Sequence, residues 1–557
     1  MTHLCVAIPV DHAADIPGAL ASAVRAAEQG ATMVEWRVDA LAEEPGALAA
    51  IRSLLRGSPL PAIVTIRSAD EGGEWRGSDT DRVSLLEALC AGAESGEPVP
   101  AYIDFELAAF ERSANIRQKV ELCVQHPGQL RAVTTRLILS AHDFAGRPAQ
   151  LARIVARMAA VESCAVAKVA WRARSVRDAV EALELLADRP KPMIALCMGE
   201  EGLLSRVLAP KFGGFLTFAR AGGPGDADAA AAGAVAGEAR AAGAGTAPGQ
   251  PTVRELVETY RFGAIGPATK VVAVIGWPVA HSKSPATHNA WFAEAGTDAV
   301  DLPVPVPPEY EHFKATVGDL LACRALDFRG ASVTLPHKEH LVRFVREHGG
   351  RVEPIAVRIG AANTLLVEPD GTLVCTNTDA PAAVDALVEG MGVARDALRG
   401  MRVAVLGAGG VARAVAVGLA DEGARVVVFN RTPERAERMV SELMGTAGEG
   451  AGAGASCGTL EGRIVAGRMD QLGCGCFHAF VNCTPVGMQG GPDPDGSPLP
   501  DDVALDGTVT VMDTVYAPRV TPLLAEARSR GARTVDGWAM FLKQARRQFE
   551  RWNFGSG

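Results

Sequence analysis

The sequence predicts an α/β chain: a closed (β/α)8 barrel followed by a second, two-part α/β half. Three observations predict it. Eight short apolar segments alternate with helix-patterned stretches over the first 265 residues, the rhythm of a parallel sheet closed by crossover helices. A new series of strand and helix signals begins at KVVAVIGWPVAHSKS, residues 270–284. A Gly-rich turn, GAGGVA at 407–412, stands between an apolar strand and a helix, as in a Rossmann unit. At 557 residues the chain is too long for one core, which agrees with this division.

The eight expected strands are LCVAIPV (4–10), TMVEWRVD (32–39), AIVTIRS (62–68), AYIDFEL (101–107), RLILSAHDF (136–144), AVAKVAW (165–171), MIALCMG (193–199) and FLTFA (215–219). Stretches such as IPGALASAVRAAEQG and AQLARIVARMAAVE between them have helical spacing. An open doubly wound sheet shares this rhythm, but eight strands in such a length favour a TIM-type barrel. Glu35, Arg37, Arg67, His142 and Lys168 fall in or near the C-terminal parts of their strands, where barrel active sites are built.

Residues 221–245 are nearly pure Ala and Gly, a composition that cannot form a specific core. TAPGQ (246–250) and a helix-like PTVRELVETYRF follow it. The tract therefore reads as an insertion in the last strand-to-helix loop, with the barrel ending near Gly263–Thr269. A second low-complexity patch at 445–456 reads as a surface loop. The expected domains are 1–265, 266–380 together with 520–557, and 381–519.

A composition of 48% hydrophobic and 22% charged residues is ordinary globular material, and a formal charge of −10 argues against a nucleic-acid partner. No apolar run of ~18 residues predicts a membrane span. The eleven cysteines form no metal-ligand pattern, and Cys474 with Cys476 makes only a CxC, so no metal is expected. Scattered thiols and the absence of a leader pattern predict a cytoplasmic protein. The sequence leaves the oligomeric state open.

Lys168 lies in AVAKVAW among apolar neighbours. A lysine there is either snorkelling from a strand end or serving as the nucleophile that forms an imine with a ketone. His142 ends the preceding strand and favours the second reading. An imine is an electron sink, and a neighbouring imidazole can take an α-proton and return it to a leaving hydroxyl.

At this point the residues resemble a known family. EWRVD (35–39), TIRSADEGGE (65–74), SAHDF (140–144), AKVAW (167–171), LLSR (203–206) and TAPGQ are similar to type I 3-dehydroquinate dehydratases over about residues 4–262. The resemblance implies an imine at Lys168, His142 as general acid/base, and Glu71 supporting His142. It implies that Glu35, Arg37, Arg67, Arg206, Thr246 and Gln250 hold the substrate's carboxylate and hydroxyls, Arg206 suiting the carboxylate as a bidentate donor. Thr246 stands where the family usually has Ser, and Ala7 where some members have Ser.

In the second half, the turn Gly407, Ala408, Gly409, Gly410, Val411, Ala412 can bring backbone N–H groups to a pyrophosphate at a helix N-terminus. The next strand ends in Asn430, Arg431 and Thr432, where an NAD binder carries an acid. A cationic cluster suits a 2′-phosphate, so the expected cofactor is NADP(H). Lys338 in SVTLPHK and Asp379 in NTDA read alone as either solvated loop residues or a proton-exchanging pair.

Together with GWPVAHSKSP, AANT, NRT, NCTPVGM, DTVY and DGWAMFLKQA, these motifs resemble the shikimate dehydrogenases over about residues 270–550. The resemblance implies Lys338 and Asp379 as the catalytic pair. It implies Ser282 and Ser284 on the carboxylate with Tyr516 assisting, and Thr334, Asn363 and Gln544 on ring hydroxyls. It places Met540 and Thr484 with the cofactor. Ser332 replaces an asparagine common in bacterial members, and His281 and His337 read as structural or rim residues. The order of the halves resembles the plant-type bifunctional enzymes. It implies dehydration of 3-dehydroquinate to 3-dehydroshikimate, then reduction to shikimate with NADPH. A quinate-acting dehydrogenase half and a non-catalytic binding protein are the rival readings.

Overall fold

The computed structural model describes residues 1–91, 96–222, 249–280, 282–446, 462–473 and 476–552. Most of the expected Ala/Gly insertion, Thr246, His281 and Cys474 lie outside the described residues. The chain divides into two compact units. One comprises Met1–Ala273, Pro278–Pro307 and Ala315–Phe328; the other comprises Val274–Trp277, Pro308–Lys314 and Arg329–Gly557.

All eight expected barrel strands form: β1 (His3–Pro9), β2 (Met33–Arg37), β3 (Ala62–Thr65), β4 (Tyr102–Glu106), β5 (Arg136–Asp143), β6 (Cys164–Arg172), β7 (Met193–Met198) and β8 (Leu216–Ala219). They run β7-β6-β5-β4-β3-β2-β1-β8. Strand β1 pairs in parallel with both β2 and β8, which rules out an open doubly wound sheet. At the β7–β8 seam the Phe215 amide donates to the Met193 carbonyl at 2.8 Å.

Side chains along a strand alternate between faces. Cys5 and Ala7 on β1, Ile138 on β5, Val166 and Ala170 on β6, and Leu216 and Phe218 on β8 meet in one buried cluster. In the same register come Glu35, Asp104, Ser140, His142 and Lys168, so β2 to β6 offer apolar side chains at their N-terminal ends and polar ones further along. The expected eighth helix is instead a five-residue π turn, Glu255–Thr259, wider than an α-helical turn. This unit continues into β9 (Lys270–Gly276), whose last residues belong to the other unit, and contains β10 (Ala299–Pro305).

The second unit holds two sheets. In the first, β13 (Thr364–Val367) lies antiparallel between β11 (Phe328–Val333) and β14 (Leu373–Thr376), and β12 (Arg351–Val352) pairs in parallel with β14. The second is parallel, built from β15 (Arg402–Leu406), β16 (Arg425–Phe429), β17 (Ile464–Gly467), β18 (Ala479–Asn482), β19 (Thr510–Asp513) and β20 (Arg533–Val535). Its order is β17-β16-β15-β18-β19-β20, the doubly wound 3-2-1-4-5-6 arrangement with a crevice where the order reverses at β15/β18. Strand β20 and the helix Pro522–Ser529 go with this sheet, although they lie within 520–557. Short side chains on the helix Gly410–Asp421, among them Ala412, Ala414, Ala416 and Ala420, are fully buried, which lets it pack closely on the helix Asp379–Met391. Among the described residues no helix is long and apolar enough to cross a membrane, and no group of His, Cys, Asp and Glu could hold a metal.

Candidate active sites

The barrel site is a network of buried charges at the C-terminal ends of β2 to β6. The Lys168 ammonium stands 2.7 Å from Asp104 Oδ2 and 3.5 Å from Glu35 Oε1, with Nζ 4.7 Å from the centre of the Phe218 ring. Thr65 Oγ1 donates to Glu35 Oε1 at 2.7 Å. Arg67, just past β3, donates to Asp104 Oδ1 at 2.7 Å, to Glu106 Oε1 at 3.1 Å and to Ser140 Oγ at 2.8 Å. Ser140 Oγ in turn donates to Asp104 Oδ1 at 2.6 Å. Arg82 closes the far side on Glu106 at 2.6 Å. Burial alone would raise the Asp104 carboxyl, but the Arg67 and Lys168 charges outweigh it and hold Asp104 well below the usual carboxylate range.

Glu71 reaches this network because its loop turns back sharply. Gly73 packs so tightly that a Cβ there would stand 2.1 Å from the Arg67 carbonyl oxygen, so only glycine fits. Ser68 starts the turn by capping Asp70 N–H at 3.2 Å. Glu71 Oε2 then accepts from the His142 amide at 3.0 Å and lies 2.9 Å from His142 Nδ1. Burial first, then the positive charges of Arg67 and Lys168, keeps His142 well below the ordinary histidine range. This favours the neutral ring, which hydrogen-bonds to Glu71. Burial raises Glu71 to about 7. With Nδ1 engaged by Glu71, Nε2 is the nitrogen left for a reacting proton.

Of the other expected residues, Arg37 pairs with Asp39 at 2.6 Å. Arg206 is buried on the short helix Leu203–Val207, with Nη1 3.5 Å from the Phe218 carbonyl. Gln250 is buried, and its side-chain oxygen has no hydrogen-bond partner among the described residues, as suits a group that meets a ligand hydroxyl. Sequence reasoning missed Asp104, Glu106 and Ser140. The signal was available in YIDFE, where two carboxylates alternate with apolar residues in a strand expected to be buried.

The second centre joins three loop ends. Lys338 opens the helix Lys338–Glu347 after β11, Asn363 precedes β13, and Asp379 opens the helix Asp379–Met391. Lys338 Nζ donates to Asp379 Oδ2 at 2.6 Å, and Asn363 Nδ2 donates to Asp379 Oδ1 at 2.9 Å. Both carboxylate oxygens are thus oriented. The Asn363 amide is itself fixed by the Thr378 N–H at 2.8 Å and lies 3.3 Å from Gln544 Oε1. Asn377 Oδ1 accepts from the amides of Asp379 and Ala380 at 3.0 and 3.2 Å, bracing the turn. Gln548, unforeseen in the sequence, accepts from Ser332 Oγ at 2.8 Å and donates to the Asn363 carbonyl at 2.9 Å.

Thr334 follows β11 and packs against Gly276. Tyr516 sits 5.2 Å from the Phe541 ring, and Met540 is buried on the helix Gly537–Arg551. Ser282 and Ser284 belong to the other compact unit. There Ser282 Oγ accepts from the Ser284 amide at 3.3 Å as Ser284 opens the helix Ser284–Glu294.

The glycine turn leaves β15 at the sheet's reversal point. Gly407 has φ +114 and would bring a Cβ within 3.0 Å of the Cys483 carbonyl and 3.2 Å of Thr484. Gly409 caps the helix Gly410–Asp421, and a Cβ there would have nothing within 4 Å. That is the open cradle a pyrophosphate requires. A Cβ on Gly410 would stand 3.3 Å from Lys338 Cδ, so the turn and Lys338 adjoin. At the end of β16 Asn430 Nδ2 donates to the Thr432 carbonyl at 2.9 Å. Arg431 is exposed, with no carboxylate partner among the described residues. These residues fit a dinucleotide carrying an extra phosphate.

The type I 3-dehydroquinase profile matches residues 4–267, the shikimate dehydrogenase substrate-binding domain residues 274–365, and the shikimate/quinate 5-dehydrogenase profile residues 392–449. The chain is 34% identical over 542 residues to a bifunctional 3-dehydroquinate dehydratase/shikimate dehydrogenase, chloroplastic, from Arabidopsis thaliana, covering 94% of this chain and 78% of that one. It is 40% identical over 287 residues to an NADP(+) shikimate dehydrogenase from Paramagnetospirillum magneticum, covering 51% of this chain and 92% of the relative. A shikimate 5-dehydrogenase from Thermus thermophilus solved with NADP(H) and shikimate is 32% identical, with a TM-score of 0.42 over 51% of this chain and 93% of that one. The chain belongs to the family of bifunctional 3-dehydroquinate dehydratase/shikimate dehydrogenases.

Proposed function

From that membership we propose that the chain carries out two consecutive steps: loss of water from 3-dehydroquinate in the barrel, and NADPH-dependent reduction of 3-dehydroshikimate to shikimate in the second half. The observation that carries the first step is a lysine and a buried histidine on adjacent strands. Ser140 pairs with Lys168 and His142 with Ala170, which sets both side chains toward one mouth. Lys168 reacts as the free amine, because only that form is a nucleophile. Its nitrogen then attacks the substrate ketone, and water leaves as the imine forms. His142 Nε2 takes the α-proton, the electron pair moves toward the imine, and the histidine returns the proton to the departing hydroxyl. Water hydrolyses the imine, which frees the product and restores Lys168. Arg206, Gln250 and Arg37 hold the carboxylate and hydroxyls, with Glu35 and Arg67 beside them. Support for this assignment is their convergence on one mouth.

In the second half, Lys338 donates a proton to the substrate's carbonyl oxygen, and Asp379 aims that lysine. NADPH supplies the hydride when bound. Asn363, Thr334 and Gln544 read the ring hydroxyls, with Tyr516 on the carboxylate. The turn 407–412 with Thr484 and Met540 holds the dinucleotide, and Asn430, Arg431 and Thr432 take its 2′-phosphate. On this reading residues 1–265 are the dehydratase, 266–380 with 520–557 bind the dehydrogenase substrate, and 381–519 with β20 bind NADP(H). The nine free cysteines among the described residues support a reducing, cytoplasmic setting.

The test is one absorbance trace at 340 nm with the purified chain, 3-dehydroquinate and NADPH. NADPH should disappear. Lys168→Ala should stop it, and adding 3-dehydroshikimate should restart it. If wild type consumes no NADPH even with 3-dehydroshikimate, the dehydrogenase assignment fails.

A further inference from the structure

The barrel also has a pocket at the opposite end from its chemistry. Its volume is about 510 Å³, within the range of small-molecule sites. Its rim is made by the first residues of five consecutive strands: His3, Met33, Ala62, Tyr102 and Arg136. This is the N-terminal face of the barrel, which in such folds carries no catalysis.

Two features give the pocket a ligand class. The first is charge. The chain carries 65 acidic against 55 basic residues, yet no carboxylate lines this pocket. Its cation, Arg136, is exposed and has no carboxylate partner among the described residues; Nη1 meets only the Tyr102 hydroxyl, at 3.4 Å. Thr134 adds a hydroxyl to the rim, while the Ser58 hydroxyl donates to the Leu60 carbonyl at 2.9 Å. A guanidinium without a carboxylate partner beside the Thr134 hydroxyl selects an anion, a carboxylate above all. The second feature is the body of the pocket. The His3 and Tyr102 rings both stand edge-on to Phe215, with centroids 5.4 Å away, and Met33, Leu55 and Leu60 supply an apolar wall. Aromatic rings held at fixed angles over aliphatic side chains accept a further ring.

We propose that this N-terminal pocket is a second binding site, separate from both reaction centres, for a small aromatic carboxylate whose anionic group meets Arg136. The proposal stands independently of the reactions assigned above. Binding there acts on the stability of the barrel through mass action, and not on the proton transfers at its other end.

Isothermal titration calorimetry on the full chain tests it with three probes: benzoate, inorganic phosphate and benzyl alcohol. Benzoate should bind saturably, more tightly than either phosphate or benzyl alcohol, and shikimate should not displace it. Arg136→Gln should weaken benzoate about tenfold or more, and Ser58→Leu, which fills the pocket, should abolish its binding. Both variants should keep wild-type melting points and dehydratase rates. No saturable benzoate binding, unchanged affinity in both variants, or displacement by shikimate would each overturn the proposal. Phosphate binding as tightly as benzoate would reduce the pocket to a simple anion site and overturn it equally.

Discussion

Each half of the chain places a lysine on an aspartate at nearly the same distance: Lys168–Asp104 at 2.7 Å and Lys338–Asp379 at 2.6 Å. Their surroundings differ. Lys168 projects from the middle of a strand into a network in which Asp104 also holds Arg67. Lys338 and Asp379 stand at the first positions of two helices, and the second carboxylate oxygen takes a neutral amide from Asn363. The chemistry proposed for them differs in the same sense. Lys168 must react as the free amine to be a nucleophile, and it stands in a web of several buried charges. Lys338 must hold its proton until an oxygen needs it, and one well-oriented carboxylate is enough. The partner residue is shared; the number of charges around it decides the role.

The sharpest way to break this comparison is to remove each lysine. Lys168→Ala should lower dehydratase turnover by on the order of 10⁴-fold or more and leave 3-dehydroshikimate reduction intact. Borohydride with 3-dehydroquinate should add the mass of a reduced imine adduct to wild type and none to the variant. An adduct in Lys168→Ala would move the nucleophile elsewhere. Lys338→Ala should cost the dehydrogenase about 10²–10⁴-fold in kcat, the range for a positioned general acid, with the dehydratase unchanged. Equal loss of both activities in either variant would mean that the halves fail together and that the comparison is structural, not chemical.

Stability separates the two aspartates by a smaller margin. Asp104→Ala takes a carboxylate away from two buried cations, Arg67 and Lys168, and should destabilise the barrel by about 3–5 kcal/mol in denaturant unfolding. Asp379→Ala strands one partly accessible lysine and should cost about 1–2 kcal/mol. A reversed order would contradict the network reading.

The smallest expected effect is pH-dependent. Burial raises Glu71 to about 7 from its ordinary 4.5, so between those values the folded chain binds more protons than the unfolded one. Stability due to this group is present at pH 4.5 and is lost as pH rises through about 7. Glu71→Gln removes that penalty. Relative to wild type it should gain on the order of 1–3 kcal/mol between pH 4.5 and pH 8, seen as a rising difference in melting temperature. A constant difference across that range would show that Glu71 does not titrate in it.

Much of both sites was legible in advance, and for a local reason. Lysine in AVAKVAW, histidine in SAHDF, and glycines in GAGGVA are each out of keeping with their immediate neighbours unless they do chemistry or make a tight turn. Strand alternation then places them on one face. Asp104 was not legible in this way. Its neighbours identify a buried strand, but nothing near it in the chain says that its partner is Lys168, 64 residues on. The same is true of Gln548, which reaches back 185 residues to the Asn363 carbonyl, and of β20, drawn out of the segment 520–557 by pairing with β19.

By itself, then, the sequence determined the barrel-then-doubly-wound order, the two lysines and the glycine turn, because periodicity and glycine placement act over a few residues. Tertiary structure decided which carboxylate meets which cation, which amide orients Asp379, and that the first residues of five strands leave an acid-free pocket. Those depend on strand order and register, which bring distant residues within hydrogen-bonding reach and which no local pattern encodes.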